Sequence, residues 1–374
     1  MMKTDKFEET ARQLLSLAGI KINGDNPWDI SVHNDNFYQA VLSQGTMGLG
    51  ESYIDGWWDS EALDEFFDRV IRAQIQNGLK KNPTLIYQVL LARLLNRQSR
   101  NRAFQIGEKH YNLGNDLFVN MLDKRLVYSC GYWKDAPTLD LAQENKLELI
   151  CRKLGLQPGM KVLDIGCGWG SFAKYAAEQY QAKVVGITVS KEQVELAKML
   201  CTGLPVEIRL QDYRDVNEKF DRIISVGMIE HVGYKNYRTY MEVVRRCLND
   251  DGLFLLHTIG GNKSVKSVDP WINKYIFPNG MLPSIKQLGG SIEGFFVMED
   301  WHNFSADYDK TLMAWYGNLE KNWEKLKSKY DERFHRMWKY YLLSCAGSFR
   351  ARSNQLWQIV LSPKGVSGGY KSLR

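Results

Sequence analysis

The chain has 374 residues, 44% hydrophobic and 25% charged, with 49 Lys and Arg against 43 Asp and Glu for a net charge of +6. That balance excludes a disordered or fibrous chain, and the length fits two or three globular domains. The mild positive excess suits an anionic partner such as a phospholipid surface, but it falls short of the basic stripe of a nucleic-acid binder, so no nucleic-acid partner is expected.

Residues 7–18 carry apolar side chains at helical spacing, with Gly19 placed as a C-cap. Asn23-Gly24-Asp25-Asn26-Pro27 reads as a turn, and 37–42 and 63–75 as further helices. Between those helices, the glycines of Gly45-Thr46-Met47-Gly48-Leu49-Gly50 have a phosphate-loop spacing. No strand precedes them, so a packing turn is expected instead. Pro83 opens another helical run over 85–95, and then Arg93, Arg97, Arg100 and Arg102 follow with no acid among them. Such a run is either a solvated linker or a membrane-facing helix with snorkelling arginines. The domain boundary is placed here, between a small, mostly helical domain over 1–100 and a larger one over 101–374.

From about residue 104 short runs rich in Val and Ile alternate with helical stretches. Strands are expected at 162–165, 183–188, 206–210, 222–226 and 253–258, with helices at 171–180 and 191–200. This alternation argues for an α/β fold with a parallel sheet covered on both faces. Residues 262–294 interrupt the series, either as an acyl-channel wall carrying Trp271, Tyr275, Ile276, Phe277 and Met281 or as a packed excursion. Helices dominate again over 307–341. The six cysteines show no CxxC spacing and no zinc framework, so they read as reduced cytosolic thiols with no metal. No window approaches the roughly 20 apolar residues of a spanning helix, and no signal peptide or anchor is expected.

The sharpest motif is Val162-Leu163-Asp164-Ile165-Gly166-Cys167-Gly168-Trp169-Gly170, an apolar strand running into a glycine-rich turn and a helix opening at Ser171. Glycines let the chain turn sharply and let a ligand approach its amides, and the helix N-terminus favours a carboxylate. A nicotinamide site wants G-x-G-x-x-G and an acid after the second strand, whereas this loop is G-x-G-x-G with Thr188 and Ser190 in that place. The form with Asp164 ahead of Gly166, Gly168 and Gly170 fits S-adenosylmethionine. Thr188, Ser190 and Gln193 are then candidates for the ribose, and Gln211 and Asp212, past the third strand, for the adenine.

Further runs carry a resemblance to a known family. They are Tyr128-Ser129-Cys130-Gly131-Tyr132-Trp133, Gly227-Met228-Ile229-Glu230-His231-Val232-Gly233, His257-Thr258-Ile259-Gly260 and Asp307-Tyr308-Asp309-Lys310-Thr311-Leu312. With Gly48-Leu49-Gly50-Glu51-Ser52-Tyr53 and the run from Asp269 to Pro278, the chain resembles the bacterial cyclopropane fatty acid synthases along nearly its whole length. The mycolic acid cyclopropane synthases share the catalytic part. The resemblance implies a Rossmann-like class I S-adenosylmethionine methyltransferase fold behind a small helical N-terminal domain. It also implies methylene transfer from S-adenosylmethionine to the cis double bond of unsaturated phospholipid acyl chains. By the same resemblance a bound bicarbonate is the base, at Cys130, Glu230, His257 and Tyr308 with a backbone contact from Ile259, while Tyr128, Ser129 and Tyr111 cover the cofactor. His231 is left as structural or as an orienting partner of Glu230. A cytoplasmic homodimer visiting the inner face of the membrane is expected. The alternatives are a methyltransferase that closes no ring and a non-catalytic lipid-binding protein.

Overall fold

The computed structural model describes residues 4–75 and 114–374. The expected helix over 85–95, the arginine run, the boundary near residue 100 and Tyr111 all lie outside the described residues. The chain packs as two compact units, and neither is one continuous stretch. One is Met1–Met121, Asp269–Pro278 and Leu312–Ser353, and the other is Leu122–Val268, Asn279–Thr311 and Asn354–Arg374.

The first unit is mostly helical, with a two-stranded antiparallel ribbon of β1 (Ser31–Val32) and β2 (Trp58–Asp59). The turn expected at 45–50 is instead the start of the helix Thr46–Ile54, which follows Gly45 at φ 61°. The glycines serve helix packing. A Cβ on Gly48 would lie 2.2 Å from the Ala40 carbonyl oxygen, and one on Gly50 would lie 2.3 Å from the Trp271 ring. Trp58, fully buried, packs on Phe37, Tyr53 and Phe66. Arg336 in the helix Glu332–Arg350 ties the ribbon down, donating to Tyr53 O at 2.7 Å and Trp58 O at 3.0 Å.

The second unit holds a seven-stranded sheet in the order β5-β4-β3-β6-β7-β9-β8. The strands are β3 Lys161–Ile165, β4 Lys183–Thr188, β5 Val206–Leu210, β6 Phe220–Val226, β7 Leu248–Gly261, β8 Val297–Asn303 and β9 Asn354–Ser362. β3 to β7 pair in parallel, whereas β9 runs antiparallel between β7 and β8. Alternate residues of each strand feed two cores, as the pleat requires. Leu163, Ile223 and Phe254 pack under the helices Tyr237–Cys247 and Ile285–Ile292. Val162, Ile224 and Leu255 pack under Leu139–Lys153 and Ser171–Tyr180. The Rossmann-like expectation therefore holds. β4, β5 and the helices Ser171–Tyr180 and Lys191–Leu200 fall on their expected residues, while β6 and β7 run longer.

Candidate active site

The cofactor end is built from backbone. Gly166, Gly168 and Gly170 take φ of 83°, 55° and 80°, a left-handed region that side chains disfavour. At Gly166 a Cβ would also lie 2.9 Å from Met228 Cγ. The amides of Gly166 and Cys167 both donate to Ile187 O of β4, at 2.9 and 3.0 Å, which anchors the loop to the sheet. Asp164 is buried in β3, and burial lifts its carboxyl to about 7 while Lys146 draws it down. Beyond β4, the Thr188 hydroxyl donates to Gln193 Oε1 at 2.8 Å. Ser190 caps the next helix, accepting from Gln193 N at 3.3 Å. Past β5, the Gln211 amide donates to Thr188 O, and Asp212 pairs with Arg214 at 2.7 Å, which holds its carboxyl below the usual range after some burial. The fold thus gathers the glycine loop, Asp164, Thr188, Ser190, Gln193, Gln211 and Asp212 along the carboxyl ends of three adjacent strands, whereas Tyr128 and Ser129 come from the segment ahead of the helix Leu139–Lys153.

The other end is built from buried side chains. Cys130, fully buried, donates from Sγ to Gly131 O at 3.1 Å. Its turn is clamped by the first turns of the helix Ala306–Leu326. Asp307 Oδ2 accepts from Trp133 N at 2.8 Å, and Thr311 Oγ1 accepts from Gly131 N at 3.1 Å and Trp133 Nε1 at 2.9 Å. Tyr308, buried, stands between those two clamps. Glu230 lies in the turn Ile229–His231, buried, whereas its neighbour His231 is exposed. Glu230 Oε1 accepts from Ile259 N at 2.8 Å, so the structure gives the Ile259 amide to Glu230. His257 on β7 is only 1% exposed and faces Gln358 across β9. Gln358 Nε2 lies 3.3 Å from His257 Nδ1, and with the amide in this orientation Nδ1 accepts and the ring proton is on Nε2.

Three atoms of these residues are buried with no hydrogen-bond partner among the described residues, His257 Nε2, Glu230 Oε2 and Gln358 Oε1. A buried donor and a buried carboxyl oxygen left open are costly unless something fills them. Burial raises the Cys130 thiol well above its ordinary value and pushes His257 well below, so a neutral thiol and a neutral imidazole face the site. Burial also raises Glu230 to about 7, against the opposing pull of backbone hydrogen bonds. This donor set fits a small oxyanion that can also give up a proton.

Several residues of the site escaped sequence reasoning. They are Gln143 and Lys146 on the helix Leu139–Lys153, Thr311, and Gln358 on β9. Gln143 and Lys146 carry a readable sign, because they sit at the i and i+3 spacing of a buried face that also holds Leu139, Ala142 and Ile150.

Residues 98–359 match the family described as mycolic acid cyclopropane synthetase. The chain is 56% identical over 370 residues to the cyclopropane-fatty-acyl-phospholipid synthase of Escherichia coli K12, covering 99% of this chain and 97% of that one. It is similar in structure to the cyclopropane synthase MmaA2 from Mycobacterium tuberculosis, with 31% identity and a TM-score of 0.64 over 69% of this chain and 97% of that one. The mycolic acid cyclopropane synthase CmaA1, solved with SAH and CTAB, gives 33% identity and a TM-score of 0.62 over the same shares. Motifs, strand order and relatives agree, and the chain belongs to the mycolic acid cyclopropane synthetase family, S-adenosylmethionine-dependent enzymes on a class I methyltransferase fold.

Proposed function

We propose that the protein transfers a methylene from S-adenosylmethionine across the cis double bond of unsaturated phospholipid acyl chains, with bicarbonate held at the buried end of the site. The observation that carries this reading is the pair of open, buried atoms, His257 Nε2 and Glu230 Oε2. An amine or hydroxyl acceptor is already nucleophilic and would need no anion there. An alkene is a poor nucleophile, so the reacting carbons must meet the sulfonium methyl in near-attack geometry. The glycine loop, Asp164 and Ser129 would hold the cofactor for that approach. Attack leaves a carbocation that must lose a proton from the new methyl group before the ring closes. Bicarbonate would supply the base for that proton. Donors for it come from His257 Nε2, the Cys130 thiol and the Tyr308 hydroxyl. Glu230, oriented by the Ile259 amide, takes the proton onward.

Among the described residues no helix is long and apolar enough to cross a membrane. With a net charge of +6, the reading has a cytoplasmic homodimer meeting the inner face of an anionic membrane from the water side. The test is incubation with S-adenosylmethionine and vesicles of a cis-monounsaturated phospholipid, followed by proton NMR of the acyl chains. Loss of olefinic protons with new upfield ring protons is expected. Intact olefin beside consumed cofactor would favour a methyltransferase that closes no ring.

A further inference from the structure

The helix Leu139–Lys153 buries three polar side chains on one face, Gln143, Lys146 and Lys153, each at most 1% exposed. Gln143 Nε2 donates to Ser129 O at 2.7 Å and Lys146 Nζ to Ser129 Oγ at 2.8 Å. This is the face of the sheet to which Asp164 and His257 also point. Each stands two residues from a strand residue, Val162 or Leu255, that packs under this same helix. An ammonium offers three donors. Among the described residues, Ser129 Oγ is the hydrogen-bond acceptor Lys146 meets, and no carboxylate pairs with it within 4 Å. Burying a charge without an ion pair costs several kcal/mol, far more than a neutral pin on one hydroxyl would.

We infer that Lys146 is a positioning residue for the reaction: while pinning the Ser129–Cys130 turn, its buried ammonium supplies the positive charge that lets the neighbouring pocket hold an oxyanion. The inference rests on the reading of that pocket as a bicarbonate site. The pocket's own donors cannot supply this charge, because Cys130 and His257 are neutral and Glu230 adds negative charge whenever it ionises. The charge of Lys146 acts on Asp123, Cys130, Asp164 and His257. Burial lowers the ammonium to about 8, with Asp123, Cys130 and Asp164 raising it, so it stays protonated at pH 7. Asp123 and Asp164 share that charge, and Lys153, the next cation along the helix, also acts on His257 but is itself engaged with His302 at 3.1 Å and Asp300 at 3.5 Å.

The experiment separates the hydrogen bond from the charge. Lys146→Gln keeps a donor for Ser129 Oγ and removes the charge, whereas Lys146→Arg keeps the charge. For the full chain and both variants, S-adenosylhomocysteine affinity is measured by calorimetry, and [13C]bicarbonate binding to that complex by 13C line broadening. Ring formation is then followed against bicarbonate in CO2-depleted buffer. Lys146→Gln is expected to bind S-adenosylhomocysteine within about threefold of wild type and bicarbonate at least about tenfold more weakly, with Lys146→Arg near wild type. Wild-type bicarbonate affinity in Lys146→Gln would overturn the inference. Equal loss of both ligands would also overturn it, leaving only a structural pin. No bicarbonate binding by the wild-type protein would instead remove the bicarbonate reading itself, whatever the variants do.

Discussion

The two ends of the site solve different problems with different materials. Around the carboxyl ends of β3 to β5 the chain offers backbone amides, left-handed glycines, one buried carboxyl at Asp164, and polar side chains that already satisfy one another, as Thr188, Gln193 and Ser190 do. Around β7 it offers a cluster of fully buried titratable groups whose ionisation burial has moved, with buried polar atoms left open at His257, Glu230 and Gln358. A site that only grips a polar ligand can be made from turns. A site that must receive a proton beside a carbocation needs side chains withdrawn from water, where a neutral thiol, a neutral imidazole and a carboxyl near 7 coexist.

If that division is right, substitutions should separate the two functions. Glu230→Gln is expected to lower turnover by about 10²–10⁴-fold, the usual weight of a general base, while S-adenosylhomocysteine affinity stays within about twofold in calorimetry. Wild-type turnover in that variant would break the comparison. Next in size is the acid limb of the wild-type rate. Glu230 must be ionised to accept a proton and its carboxyl sits near 7. At constant bicarbonate concentration kcat should therefore fall about tenfold per pH unit below 7. A profile flat to pH 6 would assign the proton elsewhere. Gly166→Ala should do the reverse of Glu230→Gln. Its positive φ and the 2.9 Å approach to Met228 make any Cβ strained by about 1–3 kcal/mol. Cofactor affinity is expected to fall about tenfold and Tm to drop, with kcat at saturating cofactor close to wild type. A lowered kcat with unchanged affinity would show that the two ends are not separable.

The same division explains what could be read in the sequence. The glycine loop and its flanking strands are local patterns, and so β4, β5 and the two helices between β3 and β5 were legible residue by residue. Cys130, Glu230, His257 and Tyr308 came from motif resemblance, because nothing local distinguishes a buried thiol from a reacting one. Gln358 was invisible, since its partner His257 lies 101 residues away across an antiparallel strand pair. Lys146 and Gln143 were readable only as polar residues on a largely apolar helical face. The segments 269–278 and 312–353, which pack with the first unit, bear no local mark of that membership. The glycines at 48 and 50 suggested a turn because a close helix contact and a turn ask for the same residue.

β9 has a consequence for how the protein is made. The chain leaves the sheet unit after Thr311, contributes 312–353 to the other, and returns at Asn354 to slot β9 between β7 and β8. A nascent chain emerging from the ribosome therefore carries β7 and β8 with a vacancy between them until residues past 354 have been synthesised. During that interval two strand edges stand open, and His257 has no Gln358 beside it. Chaperone engagement should peak over this window of translation, and a stop codon before residue 354 should yield an aggregating product rather than a weak enzyme.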